Sequence, residues 1–119
     1  VTGHDLVDLW DLLKQVEGTD INVYTHGEML SAHMYPKLRE HPNLAGHYGG
    51  PWQKQKTEFP AFGGPVVATT NCILIPTADY ADRIFTTRFT AVPGGTRIPP
   101  VFPENTGRRD TIRNAIRSV

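Results

Sequence analysis

Three side chains able to bind a transition metal stand just past three short β-prone runs. His4 follows Val1-Thr2-Gly3, Glu28 follows Val23-Tyr24-Thr25-His26-Gly27, and Cys72 follows Thr69-Thr70-Asn71. Imidazole, carboxylate and thiolate are all donors to first-row metals, and the mixture suits iron. A thiolate at such a position would be deprotonated by the metal itself. Each residue also has an ordinary reading. A histidine after a strand caps a turn, a glutamate near a helix start complements the helix dipole, and a single cysteine is a small buried hydrophobe. His26, His33, His41 and His47 form a looser group. His26-x-Glu28 with His33 resembles a zinc ligand set only loosely, because it is not the two-histidine helical motif.

The elements that must position these groups can be read from periodicity. Val1-Thr2 has the composition of the end of a strand. Asp5 can cap a helix, and Leu6, Leu9, Trp10 and Leu13 follow a helical stripe that Gly18 ends. Ile21–Thr25 reads as a strand. Residues 27–40 read as helical in parts, with a break or restart at Pro36. His41–Pro51 reads as loop and Trp52–Phe59 as a short helix with Pro51 near its start. Pro65–Thr70 and Arg83–Thr87 read as further strands, and Ala91–Asn105 as largely irregular. Ile112, Ala115, Ile116 and Val119 make a last apolar stripe, with Arg108, Arg109, Arg113 and Arg117 on its solvated side.

Strands alternating with helices predict an α/β class: a small, Rossmann-like, mostly parallel sheet of three or four strands with flanking helices. The C-terminal third is rich in proline and glycine. Ligands of such sheets bind at the carboxyl ends of the strands. If the strands are parallel neighbours, His4, Glu28 and Cys72 face one crevice.

Composition narrows the function classes. The chain has 119 residues, the size of one domain. Lys plus Arg and Asp plus Glu number 12 each, so no net charge favours nucleic acid or an anionic membrane. Gly and Pro make up 11 and 10 residues, which implies extensive loops. One cysteine excludes an internal disulfide and an all-cysteine zinc site, and favours a reducing compartment. Val1-Thr2-Gly3-His4-Asp5 lacks the basic region and apolar run of a signal peptide, and no segment approaches a membrane span. The expectation is a cytoplasmic, single-domain chain.

Longer motifs sharpen this reading. Gly3-His4-Asp5-Leu6, Tyr24-Thr25-His26-Gly27-Glu28-Met29-Leu30, Tyr35-Pro36 and Leu38 resemble the hybrid cluster protein family, also called prismane protein or hydroxylamine reductase. The likeness continues through Leu44-Ala45-Gly46, Tyr48-Gly49, Trp52 and Glu58-Phe59. It resumes at Thr69-Thr70-Asn71-Cys72 and at Tyr80 with Asp82-Arg83-Ile84-Phe85-Thr86-Thr87. His4 and Glu28 are 24 positions apart, Glu28 and Cys72 are 44, and both spacings agree with the family. The likeness is good from Val1 to about Thr87 and weak beyond.

The resemblance implies that His4, Glu28 and Cys72 ligate iron in a mixed iron–sulfur–oxygen cluster. An open iron position there takes hydroxylamine or nitric oxide for reduction. His26 and Asn71, beside the ligands, are placed to orient them. On the same grounds the chain is a single, partial Rossmann-like domain, residues 1–119, resembling the family's middle domain.

There are departures. Family members are several times longer and supply further cluster cysteines, a second glutamate and a lysine from C-terminal sequence, with an N-terminal cysteine motif for a second cluster. Ser31, Met34 and His47 stand where Pro, Gly and Asn are expected. One cysteine cannot hold an iron–sulfur cluster in the usual four-thiolate way. The expected partners are therefore the remaining domains of a parent enzyme or further copies in a homo-oligomer, with the isolated chain inactive. Two other readings stay open: a standalone, non-catalytic α/β domain, and a mononuclear metal protein using His4, Glu28 and Cys72. A related reading is a distant nickel–iron carbon monoxide dehydrogenase-like domain, since that enzyme looks like a structural cousin; the Glu28 motif speaks against it.

Overall fold

The structure, a computed structural model, describes residues 1–70, 72–87 and 90–98. Asn71 and the arginine-lined stripe at 108–119 lie outside the described residues.

Helix α1 (Leu6–Val16) forms where the stripe predicts it. Asp5 caps it, its carboxylate accepting from the Asp8 N–H at 2.9 Å. Gly18, at φ +79°, turns the chain out in the left-handed conformation glycine tolerates. Leu9, Leu12, Leu13 and Val16 are fully buried or nearly so, each worth about 2 kcal/mol of apolar burial.

Strands β1 (Val23–Thr25) and β2 (Leu44–His47) pair in parallel, as do β3 (Val66–Ala68) with β4 (Ile84–Thr86) and β4 with β5 (Thr96–Arg97). Val1 and Thr2 stitch the two ladders together. The Val1 carbonyl accepts from the His26 N–H at 2.9 Å, and its nitrogen donates to the Tyr24 carbonyl at 2.7 Å. On the other side the Thr2 N–H donates to the Val67 carbonyl at 2.8 Å, and the Thr2 carbonyl accepts from Thr69 N–H at 3.0 Å. The spatial order is β2, β1, Val1–Thr2, β3, β4, β5. Counting Val1–Thr2 as the first strand, this is the 3-2-1-4-5-6 order of doubly wound sheets.

Both faces of the sheet are covered. Val67 and Phe85 pack with α1 on one face, while Val66, Ala68 and Ile84 pack with Phe59 of α3 (Gln55–Phe62) on the other. This is the α/β arrangement read from the alternation of elements, with the central strands β3 and β4 buried on both sides.

Four local features differ from the sequence reading. Residues expected as loop contain β2, and the proline- and glycine-rich stretch contains β5. A parallel edge ladder needs backbone groups only, so weak β-formers such as Ala45 and Gly46 can complete it. Gly27–Met34 is 3₁₀ rather than α-helical; the restart expected at Pro36 is present, as α2 (Pro36–Arg39) with the proline in its first turn. A 3₁₀ turn, Trp52–Lys54, leads into α3, which runs past the expected end.

A buried polar tie joins α1 to the sheet. The Thr87 hydroxyl donates to Asp8 Oδ2 at 2.7 Å and lies 3.2 Å from the Thr69 carbonyl. Thr87→Val is expected to cost about 1–2 kcal/mol in denaturant unfolding, since it removes a buried hydrogen bond to a carboxylate without opening a cavity.

Candidate functional site

The strand order reverses between Val1–Thr2 and β3, and this is where open parallel sheets form ligand crevices. Gly3 makes the close approach possible. Its φ is +107°, and a Cβ there would stand 2.4 Å from Thr69 Oγ1 and 2.6 Å from the Thr70 carbonyl. His4 follows, exposed, its N–H donating to Thr70 Oγ1 at 3.2 Å. The Asp5 N–H donates to Thr69 Oγ1, also at 3.2 Å. Thr69 and Thr70 thus seat the His4 turn directly on the end of β3.

Cys72 lies just beyond, a half-buried free thiol. Its φ of +48° is unusual outside glycine and costs on the order of 1 kcal/mol. The fully buried Gln55, first residue of α3, holds this turn from both sides. Its Nε2 donates to the Cys72 carbonyl, and its Oε1 accepts from the Leu74 N–H at 3.0 Å.

Glu28 follows β1 in the first turn of the 3₁₀ segment. Its carboxylate is exposed and borders a groove of about 850 Å³ walled also by Gly27, Leu30, His33, His47 and Gly50. His26, directly before that segment, is buried. Its Nδ1 is hydrogen-bonded to the Thr2 hydroxyl at 3.1 Å, and its Nε2 lies 3.4 Å from Glu58 Oε2, an ion-pair distance. Burial pushes the His26 imidazole below its usual 6.5, and Glu58 pulls the other way.

His4, Glu28 and Cys72 therefore follow three neighbouring strands of one sheet, all at the carboxyl ends. They share an edge but not a coordination sphere: among the described residues no three His, Cys, Asp or Glu side chains are grouped to hold a metal ion. The His26, Glu28 and His33 set is not gathered either. His33 turns to the Thr25 hydroxyl at 2.7 Å instead, as does His47 Nδ1 at 2.9 Å. The donor chemistry of His4, Glu28 and Cys72 fits iron, and one thiolate fits only a site completed by ligands from elsewhere.

Gln55, Glu58 and Thr25 escape a reading of spacing alone. Each is a polar residue whose burial only the packing reveals. Glu58 was signalled by its motif without a role. Its carboxylate accepts from the Gly50 N–H at 2.8 and 3.0 Å, closing the Gly49–Gly50 turn beside the groove.

The imidazole of His47 is also held below 6.5, first by burial and then by His33, with Glu58 opposing. A base whose folded pKa is depressed is disfavoured by protonation in the fold, so stability falls as pH drops through 6.5 toward the folded value. The unfolding midpoint is expected to decline across that window. His47→Asn should flatten the decline, and an unchanged slope would contradict the assignment.

The fold and the site edge define an α/β protein with a parallel, doubly covered sheet and metal-donor chemistry at its switch point. Residues 1–118 match the model of the Prismane/CO dehydrogenase family, and the chain belongs to that family. It is 58% identical over 98 residues to a hydroxylamine reductase of Moorella thermoacetica, covering 82% of this chain and 23% of that protein. A hydroxylamine reductase of Rhodospirillum rubrum is 56% identical over 82% of this chain and 18% of the relative. For hydroxylamine reductase 2 of Clostridium acetobutylicum the figures are 57%, 79% and 17%. The chain thus spans about a fifth of the length of the curated relatives it matches. No helix among the described residues is long and apolar enough to cross a membrane.

Proposed function

We propose that this chain is the part of a hydroxylamine reductase that supplies His4, Glu28 and Cys72 to the iron of a hybrid iron–sulfur–oxygen cluster. The observation that carries the reading is the placement of these three donors at the carboxyl ends of neighbouring parallel strands, in a chain of this family. Residues 1–119 act as one Rossmann-like domain, and the remaining ligands come from other domains of the parent enzyme or from further copies of the chain. The substrate is hydroxylamine, reduced to ammonia, or nitric oxide.

When bound, the cluster would supply Lewis acidity and electrons to an N–O group. The chain's own residues have other tasks. Thr69 and Thr70 hold the His4 turn against β3. Thr2 and Glu58 fix the His26 ring beside Glu28, and Asn71 adjoins Cys72 in sequence. A lone unpaired thiol at Cys72 favours a reducing compartment, and the cytoplasm is the location that goes with this reading.

The test is anaerobic iron and sulfide content after reconstitution, for the unaltered chain and for Cys72→Ser. Where further copies of the chain complete the ligand set, iron is bound by the chain and lost in the variant; no iron in either assigns the missing ligands to other domains of the parent enzyme. Iron retained equally by both would remove Cys72 from the ligand set. The chain alone is expected to show no hydroxylamine-dependent oxidation of a reduced dye, and turnover by it would overturn the partial ligand set.

A further inference from the structure

We propose that Gln55 is the positioning residue for Cys72, setting the direction of the thiol through the backbone of its turn; this rests on the reading of Cys72 as a ligand. The geometry is specific. The Gln55 side chain is fully buried, and its amide occupies both polar groups that flank the turn, donating to the Cys72 carbonyl and accepting from the Leu74 N–H. A primary amide carries a donor and an acceptor on one planar group and so satisfies both partners at once. A carboxylate can accept from Leu74 but repels the Cys72 carbonyl. An aliphatic side chain does neither.

The Cys72 backbone also needs such a clamp. At φ +48° a cysteine leaves its more populated conformations, so an unclamped turn relaxes and carries the thiol with it. Helix α3 supplies the fixed base: Phe59, one turn along from Gln55, is packed among Val66, Tyr80 and Ile84. The clamp therefore ties Cys72 to the apolar core on the α3 face.

The test needs no metal. Alkylation of Cys72 by a maleimide is measured in the unaltered chain, in Gln55→Met and in Gln55→Glu. In Gln55→Met the rate is expected to change about tenfold, the factor that a lost hydrogen bond of ordinary net strength carries. The Leu74 amide should lose protection from hydrogen exchange in parallel. In Gln55→Glu the effect should depend on pH. Below the raised pKa of a buried carboxyl, the protonated acid restores both hydrogen bonds and the rate approaches that of the unaltered chain; above it, the rate departs again. A residue with only a bulk packing role would show no such rescue.

Equal alkylation and exchange in all three folded chains would overturn the proposal, whatever the iron content of Cys72→Ser. Conversely, iron retained by Cys72→Ser would sink the ligand reading and leave the alkylation result standing. If Gln55→Met does not fold, the pH dependence in Gln55→Glu decides. In the unaltered chain itself, a Leu74 amide exchanging at the unprotected rate would also overturn the clamp.

Discussion

Gly3→Ala is expected to lower folding stability by about 3 kcal/mol or more, with the thermal midpoint falling by about 4–8 °C per kcal/mol for a chain of this size. Two costs add. The backbone at φ +107° lies where a side chain is strained, and the new Cβ meets the Thr70 carbonyl at 2.6 Å and the Thr70 nitrogen at 2.8 Å. Those neighbours are backbone and cannot swing aside. Relief requires the Val1–His4 segment to move off β3, breaking the Thr2–Thr69 ladder and the His4–Thr70 hydrogen bond. The substitution should therefore also reduce iron retention after reconstitution, because it separates the His4 turn from the Cys72 turn. Gly18→Ala is the control. That glycine also has positive φ, but a Cβ there meets nothing within 4 Å, so only the conformational cost of about 1 kcal/mol applies. Equal midpoints for the two variants would contradict the close approach at Gly3.

Glu58→Ala is expected to cost about 2–3 kcal/mol. The Glu58 side chain is only 16% exposed and serves two neighbours, the Gly50 N–H and the buried His26 ring. Truncation leaves the Gly50 donor without its acceptor and His26 Nε2 facing a void. It also removes the group around which the Gly49 turn is built, since a Cβ at Gly49 would stand 1.3 Å from Glu58 Oε2. Glu58→Gln keeps an oxygen for Gly50 and should cost about 1 kcal/mol. Denaturant midpoints of the two variants give the ordering, and a Glu58→Ala midpoint at or above that of Glu58→Gln would refute it. Because His26 stands two residues before Glu28, the larger loss should also loosen the Glu28 turn, visible as faster hydrogen exchange of the Met29 amide.

Much of the architecture is legible in local pattern. The stripe of Leu6, Leu9, Trp10 and Leu13 marks α1, and Asp5 and Gly18 mark its ends, because a helix repeats its environment every three to four residues. Val66–Ala68 and Ile84–Thr86 are legible because strands buried on both faces read as near-continuous runs of apolar and β-branched residues. β2 and β5 are not, since an edge ladder draws on backbone groups that every residue carries. The 3₁₀ form of Gly27–Met34 is equally silent in sequence.

The candidate donors are legible by type and place. His4, Glu28 and Cys72 each follow a strand-forming run, and parallel pairing then requires their turns to emerge at one edge of the sheet. Their chemistry and their sequence spacing are properties of the residues alone. The supports are not. Gln55, Glu58 and Thr25 are polar side chains whose partners nothing in the local pattern names. Only long-range packing brings Gln55 against residues 17 and 19 positions away and Thr25 between two histidines 8 and 22 positions distant. The class of the fold and the choice of candidate donors thus lie in short-range pattern. The strand order, the reversal beside Gly3 and the clamp on Cys72 depend on which distant segments share a core, because burial and hydrogen-bond satisfaction are decided over the whole chain at once.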